Sequence, residues 1–189
     1  MAKRQWFAIV AIGRDRPGIV ADLGECVFDC GCNLEDASMT ALGNEFATVM
    51  LASGTNDDVG ERLATAAGHL EQQCELDIFL RPLDEAPVPP LADRAQRREY
   101  ALTAVGVDKA GIVASVARIL ADEGVSITDL RGFISPAPQS GTPIYTLKVR
   151  MDIPEGLGVG ELRNELAAVS SRLNVDIRIE EEAGTLAAV

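Results

Sequence analysis

Trp6-Phe7-Ala8-Ile9-Val10-Ala11-Ile12 is apolar at both alternating sets of positions. That pattern predicts a strand covered on both faces, in the middle of a sheet rather than at its edge. Gly13 to Arg16 turns the chain, and Pro17 suits the first turn of a helix, where its missing N–H leaves no gap. Ile19, Val20, Leu23, Cys26 and Val27 recur at three-to-four spacing and predict one stripe against one sheet face. Gly31 stops that helix. Residues 34–42 and 46–52 read as two strands closed around Gly43-Asn44, a pair that tolerates the backbone of a tight turn. Thr55, Asn56, Asp57 and Asp58 offer capping oxygens and negative charge to a second helix carrying Leu63, Ala66, Ala67 and Leu70. Leu76, Ile78 and Leu80 then alternate with Asp77, Phe79 and Arg81, as a strand requires.

The whole order returns 93 residues later. Gly13-Arg14-Asp15-Arg16-Pro17-Gly18-Ile19-Val20-Ala21 is echoed by Gly106-Val107-Asp108-Lys109-Ala110-Gly111-Ile112-Val113-Ala114, and Gly31-Cys32-Asn33-Leu34 by Gly124-Val125-Ser126-Ile127. An internal duplication follows. The expected fold is α+β: two ferredoxin-like βαββαβ units, each a four-stranded antiparallel sheet with its helices on one face. Right-handed crossovers place the first and third strands in the middle of each sheet. The expected division is 1–82 for the first unit, 83–97 for a proline-containing linker, 98–183 for the second unit and 184–189 for a tail. Taking Thr48 and Thr146 as equivalents adds five residues between the middle strands of the second unit. That longer loop, Ser135 to Thr142, covers a neighbouring surface or is a tolerated insertion.

Seventeen basic residues against twenty-nine acidic ones give a formal charge of -12. A surface that wraps nucleic acid needs concentrated positive charge, so direct nucleic-acid binding is not expected. Arg94, Arg97 and Arg98 read as a solvated face or a salt-bridged surface. No apolar run approaches the about 20 residues of a membrane helix, and the expected location is cytoplasmic. The four cysteines need no disulfide partners in a reducing compartment.

Chemistry of the catalytic kind is sparse. His69, the only histidine, has no paired acid or nucleophile near it in sequence and reads as a surface or packing residue. Cys26, Cys30 and Cys32 are close enough to suggest a soft-metal site, but Cys26 on an apolar stripe reads better as a small hydrophobe. Gly156-Leu157-Gly158-Val159-Gly160 lacks the lysine and hydroxyl of a phosphate loop. An enzyme is not expected, and no cofactor or metal is implied.

The repeated junction carries the functional reading. At Asp15 to Ile19 a central strand feeds a helix whose first N–H groups have no internal acceptor, an arrangement that suits a carboxylate. Gly18 and Gly111 remove bulk where a small ligand would approach. Asp15 and Asp108 are placed either to receive a ligand ammonium group or to cap the helix.

In these residues the chain resembles the ACT domain, a small amino-acid-sensing regulatory module. Asp15-Arg16-Pro17-Gly18-Ile19-Val20 and Asp108-Lys109-Ala110-Gly111-Ile112-Val113 match its first turn, and Gly31-Cys32-Asn33-Leu34 and Gly124-Val125-Ser126-Ile127 match the start of its second strand. Gly31 to Asp36 and Leu42 to Phe46 are similar to the glycine cleavage system transcriptional repressor family, whose members carry two such domains. The resemblance implies ligand contacts at Asp15, Arg16, Pro17, Gly18, Ile19 and Asn33, where the exit loop meets a neighbouring ACT unit. In the second copy it implies Asp108, Lys109, Gly111, Ile112 and Ser126. Ala110 stands in place of Pro17 and Ser126 in place of Asn33, so the two copies need not bind equally. It further implies a homo-oligomer, an amino acid or related metabolite as ligand, and action through a regulatory protein partner. The competing expectation is a ligand-independent scaffold that associates through edge strands around Ile78 and Ile177.

Overall fold

The computed structural model describes residues 3–87, 97–107, 111–138 and 140–182. The chain divides into two compact units, residues 1–88 and 89–189. In the first, the order is β1 (Gln5–Arg14), α1 (Ile19–Asp29), β2 (Cys32–Leu42), β3 (Glu45–Gly54), α2 (Val59–Cys74) and β4 (Leu76–Leu83). The second repeats it with β5 (Arg97–Val107), α3 (Ile112–Asp122), β6 (Ser126–Pro136), β7 (Pro143–Pro154), α4 (Val159–Leu173) and β8 (Asp176–Glu181). Both sheets are antiparallel, with orders β2-β3-β1-β4 and β6-β7-β5-β8. The two βαββαβ units and their central first and third strands agree with the sequence reading.

In the first unit Phe7, Ile9 and Ala11 of β1 and Phe46, Met50 and Ala52 of β3 point to the helices, where Ile19, Leu23, Val27, Val59 and Leu63 close the core. Tyr100, Leu102 and Ala104 play the part of β1 in the second unit, under Ile112, Val116, Leu120, Leu162 and Leu166. The buried stripe of α1 is narrower than its apolar residues suggest. Residues 19, 23 and 27 face the sheet, whereas Val20 is 46% exposed and Cys26 only partly covered. Strict i, i+4 spacing rotates Val20 off the contact line, and Val113 in α3 is turned out in the same way.

Three further features explain or amend the sequence pattern. A Cβ on Gly13 would lie 2.8 Å from the Glu75 carbonyl and 2.7 Å from Leu76 Cδ2, and one on Gly106 would lie 2.6 Å from Val175 Cγ1. The repeated glycine therefore lets β4 and β8 start tight against the central strand, each after a left-handed residue, Glu75 or Asn174. Asp58 is the N-cap of α2 but makes no capping bond, so the acidic run there acts through charge rather than the expected cap. Strand register also revises the insertion. Gly13 pairs with Phe46 and Gly106 with Tyr145, an offset of 93 in the first partner and 99 in the second. Six residues are added, one more than the Thr48–Thr146 alignment implies, because Thr48 corresponds to Leu147.

Candidate functional site

The exit from β1 is pinned at its base, where the Asp15 amide donates to the Asn44 carbonyl at 2.8 Å in the β2–β3 turn. The chain then enters α1 through Gly18 at φ 90°, and enters α3 through Gly111 at φ 97°. Among the described residues, a Cβ at Gly18 would meet nothing closer than Arg16 Nη1 at 3.8 Å, and one at Gly111 would meet nothing within 4 Å. Conformation rather than crowding therefore requires glycine at both positions. The first helical bonds are Asp22 N–H to the Gly18 carbonyl at 3.0 Å and Ser115 N–H to the Gly111 carbonyl at 2.9 Å. Among the described residues no protein acceptor meets the amides of Ile19, Val20 and Ala21. Both glycines lie on the surface.

The side chains of the loop have different fates. Asp15 and Pro17 are exposed. Arg16 is drawn back over the helix seam, where Nη2 donates to the Asp22 carboxylate and to Cys74 Sγ, and Nη1 donates to the Pro17 carbonyl. The bonds to Asp22 and then Cys74 push its already high pKa further up. Ile19 and Ile112 are core side chains, so only their backbone faces the helix start. Asp108 and Lys109 lie outside the described residues.

Asn33 and Ser126 sit elsewhere. Asn33 pairs with Ser53, and Ser53 with Trp6, whereas the exit loop follows Arg14. Eight residues of extended strand separate the two places, about 27 Å. Ser126, which pairs with Asp152, is equally remote from the end of β5 at Val107. A single unit thus brings Asp15 to Ile19 together but does not bring them to Asn33.

The Asn33 end has chemistry that sequence reasoning did not single out. Ser53 Oγ donates to Glu35 Oε1, and Arg4 Nη2 lies 3.9 Å from the same oxygen. The Ser53 bond, then a bond from Asn33, hold the Glu35 carboxyl below its ordinary pKa. In the second unit register puts Asp152 at the place of Ser53, buried and with Oδ1 unpartnered among the described residues. Thr128 takes the place of Glu35, each in the irregular step of an edge strand. Ser53 and Asp152, polar residues at the buried ends of the third strands, were the available sequence signal.

Beside these ends, each unit exposes an apolar strip where its edge strand runs past the helices. Val20, Leu34 and Met39 form it in the first unit, and Val113, Ile127 and Leu130 in the second. Grooves of about 450 Å³ and 520 Å³ follow the helix seams, the first lined by Asp22, Cys26, His69 and Cys74, the second by Ser115, Arg118, Glu165 and Arg172. Burial pushes the Cys26 thiol up to about 11, and Cys30 and Cys32 upward too, so none is prepared as a nucleophile. Among the described residues no helix is long and apolar enough to cross a membrane.

Two family models described as ACT domain match residues 5–81 and 104–180, together most of the chain. The chain belongs to the ACT-domain family. Its tandem ACT units are similar throughout to a protein of unknown function from Galdieria sulphuraria, 31% identical over 96% of this chain and 100% of that one, with a TM-score of 0.76. The glycine cleavage system transcriptional repressor of Escherichia coli is 44% identical over 55 residues, which span 29% of this chain and 29% of the repressor. A UPF0237 protein of Methanopyrus kandleri is 43% identical over 51 residues, 27% of this chain and 57% of that protein.

Proposed function

We propose that this protein is a non-enzymatic regulator whose ACT units sense an amino acid or related small metabolite and adjust contacts with a regulatory protein partner, with transcription as the output. The observation that carries the reading is the exposed helix start, repeated in both units, whose first amides in the first unit (Ile19, Val20 and Ala21) meet no protein acceptor among the described residues. Those amides suit the α-carboxylate of an amino acid. The remote position of Asn33 is consistent with a site completed by a second ACT unit. Antiparallel pairing of two β2 edges sets the start of one strand beside the end of the other, the end to which Asp15 is tied through Asn44. The apolar strip along α1 and β2 supports that pairing, since it loses exposure there. Asn33 and Ser126 then meet the ligand from across the seam, with Glu35 and Ser53 behind one and Asp152 behind the other. The partial likeness to a transcriptional repressor supports the regulatory output.

Calorimetric titration and thermal melts with glycine, serine and the other amino acids test this. A ligand present at 100 times its Kd stabilises the chain by about 2.7 kcal/mol. Asn33→Ala should weaken binding although Asn33 lies at the opposite end of the sheet from the exit loop in its own unit. No stabilisation by any amino acid at millimolar concentration would leave the ligand-independent scaffold, which the same apolar strips favour.

A further inference from the structure

The face of the first sheet that points away from the helices is apolar along its two central strands. Register places Ser38, Val49, Val10 and Phe79 in one row across the four strands. On one side lies Thr40–Ala47–Ile12–Asp77, and on the other Asp36–Leu51–Ala8–Arg81. Phe79 is 63% exposed, Val49 54% and Ile12 42%. Four strands about 4.8 Å apart and three rows about 6.8 Å apart cover about 400 Å², and the seven apolar positions form one contiguous centre within it, rimmed by the polar residues of β2 and β4, the pattern that marks an interaction site.

We propose that this face docks on the same face of a second copy of the chain, sheet on sheet, about a two-fold axis running across the strands through the Phe79–Val10–Val49 row. The face is self-complementary about that line. Phe79, Val10 and Val49 meet their own counterparts. Ile12 faces the partner's Ala8, and Ala47 faces the partner's Leu51, so large residues lie against small ones as interdigitating layers require. Asp77 and Arg81 stand two residues on either side of Phe79 on β4, both exposed, and among the described residues neither has an ion pair within the chain. The axis brings Asp77 of each copy over Arg81 of the other, two ion pairs on the rim of an isologous contact. The second unit has no matching apolar face to offer. This interface uses the sheet face and leaves the β2 edge free, so it stands independently of the ligand reading.

Sedimentation velocity of the full chain tests the proposal through charge exchange. Wild type should associate in a concentration-dependent manner. Asp77→Arg alone and Arg81→Asp alone should each raise the dissociation constant of this contact several-fold, and the double exchange should return it toward wild type. V10T/V49K/F79R, with circular dichroism confirming the fold, should halve the assembly mass while retaining any metabolite-induced shift in melting. Unchanged mass in a folded triple variant would overturn the interface, and so would single reversals without effect or a double exchange that fails to restore association. Failure of the ligand titrations alone would leave it standing.

Discussion

The two units have the same skeleton and opposite outer faces. Where the first carries Ser38–Val49–Val10–Phe79 across its sheet, the second carries Arg131–Lys148–Thr103–Arg178 at the corresponding positions. Half of its flanking positions are also charged, with Asp129 between Arg131 at 3.5 Å and Arg150 at 3.9 Å, and Asp176 bonded to Arg178 at 2.8 Å, while Phe133, Thr146, Val105 and Ala101 fill the others. Meanwhile the helix-facing sides remain a continuous apolar core in both. The fold needs only the inner face, so the outer one is free to be wet or to be covered. Surface pairs of this kind contribute little stability, and their effect is to keep the second face in water.

Exchanging the faces should break this contrast most visibly. T103V/K148V/R178F gives the second sheet the apolar row of the first without touching its core. The full chain should then gain concentration-dependent association beyond wild type, read by light scattering at fixed salt. A variant no more associated than wild type would show that apolar character alone does not decide which face is covered.

The shared skeleton is tested by Gly13→Ala and Gly106→Ala. Both additions overpack the junction of the central strand with the last strand and should destabilise by about 1–3 kcal/mol. Gly13→Ala should cost more, because one obstacle is the Glu75 carbonyl, whereas Gly106 faces chiefly the Val175 side chain. Urea melts followed by the emission of Trp6, the only tryptophan, read the first unit directly, and the tyrosines Tyr100 and Tyr145 read the second. Equal melts for Gly13→Ala and wild type would mean that the strand shifts aside at no cost.

Element order and sheet topology were legible because each strand and helix announces its period, and because the duplication supplied the same reading twice. The apolar positions of β1 on both sets of faces predict a central strand, and β1 is central, yet they also mark the uncovered outer face. Periodicity states that Val10 and Ile12 are apolar and not what lies over them. The apolar stripe of α1 is broader than its buried one for a related reason, since spacing places Val20 near the sheet but only packing decides that Ile19, Leu23 and Val27 take the contact. At the candidate site the glycines and the helix start could be read locally. The distance from Gly18 to Asn33 follows from strand direction, and the network of Glu35 with Ser53 joins residues eighteen apart in sequence. No local pattern carries either.

That network offers the finest distinction between the units. Ser53 and Asn33 donate to the Glu35 carboxylate in the first, and Thr128 takes its place in the second. A carboxyl held below its unfolded value adds stability above its unfolded pKa of about 4.3, and that contribution is lost as pH falls through the lower folded value. The effect is small, because the group is partly solvated and screened. Acidification from pH 6 to pH 3 should therefore weaken the first unit, read by Trp6 emission in urea, with a component that Glu35→Gln removes. The same substitution should leave the tyrosine-detected melt of the second unit unchanged across that range. If Glu35→Gln and wild type lose stability with the same slope below pH 4.5, the Ser53 and Asn33 bonds do not favour the ionised form, and the polar ends of the two sheets differ in composition without differing in proton linkage.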